Sequence, residues 1–357
     1  MTEQRRATII GTGLIGGSVG LALRARGWRV SGVDNAPGLA DRAIELGACD
    51  AVGIDADSDL VVVATPVGAV IEEARGALAA CPKAVVTDVG GVKAAIVAAL
   101  DDPRFVGGHP MAGSEELGLE GADADLFEGA AWTLCPGPAT TDATYATVRH
   151  VVASFDAQVL TLSPADHDRV VAVVSHVPHL TAAALVRVTG DHSSDHAALL
   201  RLAAGGFRDM TRIASGSPAI WPGVCEQNRD AIVEVLDQLR DELATIRSIV
   251  AERDRPELLR VLGEAQQVRQ TLPTRPSDAG PHSEIRVFVK DQPGALRAVA
   301  TLATDLDVNL AFATTIDLDG TAGGMVVLRV LSDDAERLCR GLLDAGFRAF
   351  VQNEDET

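Results

Sequence analysis

The sequence predicts an α/β protein: a Rossmann-type, doubly wound parallel sheet, an all-helical second domain, and a small C-terminal domain of βαββαβ order. Three observations carry this. From residue 7 to residue 160, short apolar runs alternate with Ala/Leu-rich segments, the rhythm of strands joined by crossover helices. Near Pro164 that rhythm gives way to helical periodicity with few β-branched runs outside helices. After PTRPSDAGPHS, residues 273–283, with its three prolines, alternating apolar patterns resume. The expected boundaries are 1–163, 164–272, a linker at 273–283, and 284–357.

The strands of the first domain read in order as ATII, WRVSGVD, LVVVATP, KAVVTDVG and RFVGG. ATII runs into Gly11, Gly13 and Gly16, a G-x-G-x-x-G turn, and a helix opened by Leu14 and Ile15. In such a turn the first glycine permits the tight bend, the second lets backbone approach a pyrophosphate, and the third lets helix pack on strand. Asp34 ends the second strand, 23 residues after Gly11, where a carboxylate accepts from ribose hydroxyls. It would repel a 2′-phosphate, and its neighbours Asn35, Ala36 and Pro37 supply no cation, so NAD is expected rather than NADP. The bland alternative is a cap on the next helix.

The helical domain contains a stretch, Val224 to Arg253, that reads as one long helix with Ile232, Val235, Leu236, Leu239, Leu243 and Ile246 spaced at three and four. A helix of that length suits either a subunit interface, most simply in a homodimer, or burial within its own domain. In the last domain EIRVFVK, LRAVATLATDL, VNLAFATTI, GGMVVLRVL, DDAERLCRGLLDAG and FRAFVQ give strand, helix, strand, strand, helix and strand.

Composition excludes several function classes. With 50 acidic against 31 basic residues the net charge is −19, which repels nucleic acid and anionic membrane surfaces. Cysteines 49, 81, 135, 225 and 339 form no Cys-x-x-Cys pair, so neither a disulfide framework nor a metal site is expected, and a reducing cytoplasm fits. No apolar stretch reads as long enough to span a membrane.

One segment breaks the pattern around it: VGGHPMAGSEE, residues 106–116. Glycines clear space beside His109 and Pro110 fixes the chain after it, at the carboxyl edge of the sheet where such folds place ligands. A neutral imidazole there can take the proton of an alcohol as hydride leaves the same carbon. Taken alone, a loop histidine is more often a cap or surface group.

GTGLIGGS, TDVGGVK (87–93), GGHPMAGSE (107–115), SHVPHL (175–180) and GGFRDMTRIASGSPAIW (205–221) together resemble the prephenate and arogenate dehydrogenases of tyrosine biosynthesis. Residues 284–352, with KDQPGAL at the first turn, resemble an ACT domain. The resemblance implies oxidative decarboxylation of prephenate, or of arogenate, with NAD. It makes His109 the proton acceptor, pairs Arg212 with a substrate carboxylate, and brings His179 to the substrate side chain, with His176 ranked lower. Arg208, Gly205, Ser114, Glu115 and Trp221 would line the substrate pocket; Thr65, Pro66 and Asp88 would join the glycine turn at the cofactor, with Lys93 bordering the nicotinamide half. Two arginines suit a dianionic substrate in an acidic protein, although they could instead neutralise Asp209 on a solvated face. Asp291, Pro293, Gly294, Ala295, Leu296 and Asn309 would hold a free amino acid, tyrosine by implication. One departure stands out: where the family commonly has a serine, this chain has Gly91, leaving open whether Ser114 or a water orients the imidazole. A sensing module without chemistry, and another two-domain hydroxyacid dehydrogenase, are the remaining readings.

Overall fold

The computed structural model describes residues 4–113, 116, 118–190, 205–271, 282–290, 294–306, 308–310, 312–317 and 323–352. The chain divides into two compact units, 1–258 and 259–357.

The first unit is built on an eight-stranded sheet in the order β3-β2-β1-β4-β5-β6-β7-β8. The strands are β1 (Arg6–Ile10), β2 (Arg29–Val33), β3 (Ala51–Val52), β4 (Leu60–Val63), β5 (Val85–Asp88), β6 (Phe105–Pro110), β7 (Ala131–Cys135) and β8 (Gln158–Thr161). Helices α1 (Leu14–Ala25), α2 (Leu39–Glu45), α3 (Val70–Ala80), α4 (Ala94–Ala99) and α5 (Asp142–Ala153) accompany them. Alternate residues serve opposite faces: Ile9 and Val62 enter a core with Leu23, Phe127 and Trp132, while Ile10, Val61 and Val63 enter another with Val86 and Phe105. Each such side chain, fully buried, contributes about 1.5–3 kcal/mol. Strand order reverses between β1 and β4, which opens the crevice at their carboxyl ends.

Two sequence expectations are corrected here. The sheet is parallel only through β6; β7 pairs antiparallel to β6, and β8 runs parallel to β7. Between β6 and β7 the described residues hold a 3₁₀ turn (Leu119–Gly121) and no crossover helix, so the chain returns directly, as an antiparallel neighbour allows. His109, read from sequence as a loop residue, lies instead within β6, whose last four residues are GGHP, opposite Thr133 of β7.

The helical part begins with α6 (Pro164–Val171), whose Ser163 cap accepts the Asp166 N–H at 3.1 Å. It passes through a π-turn (Ala172–His176) into α7 (Val177–Gly190) without interruption. Contrary to the expectation from sequence, Pro164–Thr189 is therefore one helical run long and apolar enough, by length and composition alone, to cross a membrane. The reason is the continuity: segments that read separately are joined end to end. Its buried Ala172 and Val177 pack on Ile232.

After α8 (Gly205–Thr211) and two 3₁₀ turns (Arg212–Ser215, Pro218–Ile220) come α9 (Trp221–Gln227) and α10 (Arg229–Glu252). The single helix expected over 224–253 is thus two. Asn228, at φ −112° and ψ 28°, departs from helical geometry between them. On α10, Ile232, Val235 and Leu239 face the unit's own core, whereas Val233, Leu236, Leu243 and Val250 are exposed. Helix α11 (Arg255–Thr271) follows.

The second unit shows the expected βαββαβ order: β9 (His282–Lys290), α12 (Ala295–Asp305), β10 (Phe312–Asp317), β11 (Gly323–Leu331), α13 (Ser332–Asp344) and β12 (Arg348–Gln352). Its sheet is antiparallel, ordered β10-β11-β9-β12. Ile285, Val287, Val326 and Leu328 form one core with Val299 and Ala303 of α12 and Leu338 and Leu342 of α13.

Candidate active site

The glycine turn has the geometry its spacing implies. Gly11 sits at φ +91°, and a Cβ there would lie 2.5 Å from the Ala64 carbonyl oxygen; one on Gly16 would lie 1.8 Å from the Gly11 oxygen. Neither position admits a side chain. Gly13 has nothing within 4 Å of where its Cβ would be, so the backbone there is open to a ligand, beside the first-turn N–H groups of Leu14 and Ile15. Asp34 does not cap α2, whose N-cap is Gly38. Its carboxylate instead accepts the Thr12 N–H at 2.7 Å and the Ala36 N–H at 2.9 Å, tying the glycine turn to the end of β2.

The loop after β4 abuts the same turn. Thr65 Oγ1 is buried with no hydrogen-bond partner among the described residues, an unmet demand that a bound dinucleotide's polar groups can satisfy. Pro66 beside it is exposed. An open glycine backbone and an orphaned hydroxyl thus fit a dinucleotide. Asp88, expected at the cofactor, points inward. It is fully buried and accepts the Lys93 ammonium, the Gly90 N–H at 2.8 Å and the Gly108 N–H at 3.2 Å. Lys93 is equally buried, so this pair is a structural strut between the β5 turn and β6.

His109 is held by residues that sequence reasoning missed. Its Nδ1 lies 2.9 Å from Nε2 of His167, and His167 Nδ1 lies 2.8 Å from Asp168 Oδ1. The Asp168 carboxylate also accepts the Lys93 and Ala94 N–H groups at 2.7 and 2.9 Å, at the start of α4. Because a carboxylate only accepts, a neutral His167 carries its proton on Nδ1 and offers a lone pair at Nε2; His109 then donates from Nδ1 and keeps a lone pair on Nε2 that has no partner among the described residues. Burial first, then the Lys93 ammonium and the His167 and His176 rings, hold His109 well below the ordinary imidazole value. It is neutral at physiological pH.

A Cβ at Gly91 would lie 3.8 Å from that free Nε2. A serine at this position would therefore stand against that nitrogen, and Gly91 leaves the space open. The imidazole is oriented from its other nitrogen, by His167. The one local signal for this was SPADHD: a Ser-Pro helix start that carries adjacent His167 and Asp168 into the interior, where they are 1% and 5% exposed.

A second group lies on the helical side. His179 stacks on Trp221 with ring centroids 3.8 Å apart, and His176 meets the same indole edge-on at 6.1 Å. Burial lowers the His179 imidazole, and burial followed by the opposing influences of Asp168 and His167 brings His176 to about 4. Arg212 opens the 3₁₀ turn that continues to Gly216, where a Cβ would come within 3.8 Å of His179 Cε1. Gly205 and Arg208 lie on α8, both exposed, as is Arg212. Arg208 and Arg212 do not share one α-helix, since α8 ends at Thr211. Ser114, Glu115, Asp291 and Pro293 lie outside the described residues. In the second unit Gly294 is left-handed at φ +92° and caps α12, with Ala295 in its first turn, Leu296 exposed beside it, and Asn309 exposed beyond the helix.

Fold and site define the class: a nucleotide-binding dehydrogenase in which a sheet-borne neutral histidine lies against a helical part of the chain. Residues 19–161 match the nucleotide-binding domain of prephenate dehydrogenase and 163–264 its dimerization domain. The chain belongs to the prephenate dehydrogenase family. It is 33% identical to a Bacillus subtilis prephenate dehydrogenase over 96% of this chain and 97% of that one, and 32% identical to a Zymomonas mobilis cyclohexadienyl dehydrogenase over 77% and 98%. Among solved structures, prephenate dehydrogenase from A. aeolicus, in complex with hydroxyphenyl propionate and NAD+, superposes with TM-score 0.70 at 31% identity, covering 75% of this chain and 98% of that one. Synechocystis arogenate dehydrogenase gives 0.65 at 29%, covering 74% and 99%.

Proposed function

We propose that this chain is an NAD-dependent oxidoreductase that converts prephenate to 4-hydroxyphenylpyruvate and carbon dioxide. The observation that carries the reading is the free lone pair on His109 Nε2, fixed by the Asp168–His167 pair. NAD, when bound, would supply the acceptor for the hydride that leaves the hydroxyl-bearing ring carbon. His109 accepts the hydroxyl proton at Nε2, and its neutrality at working pH keeps that nitrogen ready. Asp168 stabilises the charge that follows, through His167. Gly13, with the N–H groups of Leu14 and Ile15, would cradle the pyrophosphate, Asp34 would meet the ribose, and Thr65 Oγ1 would find its partner there. Arg212 and Arg208 suit the two substrate carboxylates, and the stacked His179–Trp221 pair suits the ring or its side chain. Loss of carbon dioxide then makes the ring aromatic.

Arogenate is the second reading, favoured by the likeness to the Synechocystis arogenate dehydrogenase. Supplying each compound with NAD and following nicotinamide reduction and carbon dioxide release decides between them. Reduction with arogenate alone discards the prephenate assignment, and reduction with neither discards the enzyme.

Three further parts of the reading concern the whole protein. The exposed Val233, Leu236, Leu243 and Val250 on α10, within the residues that match a dimerization domain, suit a homodimer. The second unit, with its left-handed Gly294 turn into α12, suits an ACT-like sensor for free tyrosine. Titrating tyrosine against initial rate in the full chain tests this, and a rate indifferent to tyrosine removes it. The five cysteines, free in the structure, suit the cytoplasm.

A further inference from the structure

Helix α9 stops and α10 starts at one buried residue, Asn228, without any backbone need. Its N–H still bonds to the Val224 carbonyl at 2.9 Å, and its carbonyl still receives the Ile232 N–H at 3.1 Å. What the break serves is the side chain. Asn228 Nδ2 donates to the Asp168 carbonyl at 2.8 Å and lies 3.2 Å from His176 Nδ1. The carbonyl can only accept, so it is the amide nitrogen that faces it, and its second N–H is available to His176. His176 is thereby pinned with its lone pair on Nδ1 and its proton on Nε2.

These two bonds reach the two halves of the site separately. Asp168 holds His167 and through it His109; His176 packs edge-on against Trp221, which stacks on His179. One amide therefore ties the proton-accepting array to the aromatic group on the helical side. We propose that Asn228 is a positioning residue for the reaction: it sets His109 and the His179–Trp221 pair at a fixed separation and keeps His176 uncharged between them. The proposal rests on the dehydrogenase reading above. The groups facing His176 are the Asp168 carboxylate, the His167 and His109 imidazoles, the Trp221 ring and Asn228 itself. Of these, Asn228 is the one that donates a hydrogen bond to Nδ1.

The test uses the full chain. In Asn228→Asp the side chain keeps its shape but loses both donors, so it repels the Asp168 carbonyl and turns His176 Nδ1 into a donor, which favours the imidazolium. We expect kcat with prephenate to fall about 100-fold, a new loss of activity as pH drops through the raised His176 titration, and an unchanged dissociation constant for NAD. Nitrogen-15 NMR of wild-type His176 should show the neutral form protonated on Nε2. Wild-type His176 protonated on Nδ1 would overturn the proposal whether or not the variant folds. So would an Asn228→Asp enzyme within twofold of wild-type kcat, or one whose acid limb does not move. A wild type inactive on prephenate and arogenate would instead remove the underlying reading, and the NMR result would still stand.

Discussion

His109 Nδ1 and His167 Nε2 stand 2.9 Å apart, their rings nearly perpendicular at 71°, so one histidine's lone pair fixes the other's proton. The arrangement has the logic of a catalytic triad, with a histidine as its middle member and His109, the proposed proton acceptor, at the end.

Replacing the acceptor should cost most. His109→Asn is expected to lower kcat by roughly 100-fold or more while NAD affinity stays unchanged. His167→Gln should lower kcat less, by about 10- to 100-fold, because the imidazole remains but its tautomer is no longer dictated. Steady-state kinetics with a parallel NAD titration check both. A His167→Gln enzyme as fast as wild type would mean that the pair does not orient His109.

The pH profile follows from the neutral state of His109. The acceptor must be unprotonated, and its titration lies well below the ordinary imidazole value of about 6.5. The rate constant kcat/KM should therefore remain level as pH falls from neutrality past that value, and decline only below it. An acidic limb at or above the ordinary value would contradict the burial seen here.

Stability carries a related signature. His176 titrates at about 4 in the fold, against about 6.5 when exposed, so the unfolded chain binds the extra proton in that interval. The contribution is whole above the unfolded value and is lost as pH falls toward 4, on the order of 3 kcal/mol from this group. Denaturant midpoints measured across the interval should show a decline that His176→Gln makes shallower.

The Asp88–Lys93 pair is a strut, so its rupture should be read in stability. Lys93→Met leaves a carboxylate buried and short of its cation, at a cost of about 3–5 kcal/mol. A thermal transition unchanged in that variant would show that Asp88 reaches water.

Association should depend on the outward face of α10. Leu243→Asp, at a position 54% exposed in the single chain, is expected to shift the protein from dimer to monomer in sedimentation. A dimer that survives this change together with Val250→Asp places the contact elsewhere.

Much of this was legible before the structure. Gly11, Gly13 and Gly16 announced the tight turn they form because it is set by local backbone geometry, and the βαββαβ order of the last unit followed from alternation within single strands. His109 was legible because glycines and a proline on either side are local signals as well. His167, Asp168 and Asn228 were not, since each acts on a partner dozens of residues away and only the Ser-Pro start of their helix marks the first two locally. Asp88 was misread for a similar reason: a carboxylate at a strand end looks the same whether it faces a crevice or a buried lysine. The reversed β7 and β8 were hidden because strand direction depends on the connection, and periodicity within a strand does not record it.

The π-turn at Ala172–His176 limits how this enzyme can change. It amounts to one residue more than an α-helix would need between His167 and His179. Deleting a single valine, 173 or 174, would let the segment relax to ordinary helix with His167 and His179 in nearly their present angular relation, whereas a deletion outside the turn would swing every later side chain through about 100°. The helical run can thus lose a residue at this one turn far more readily than anywhere else between the two histidines.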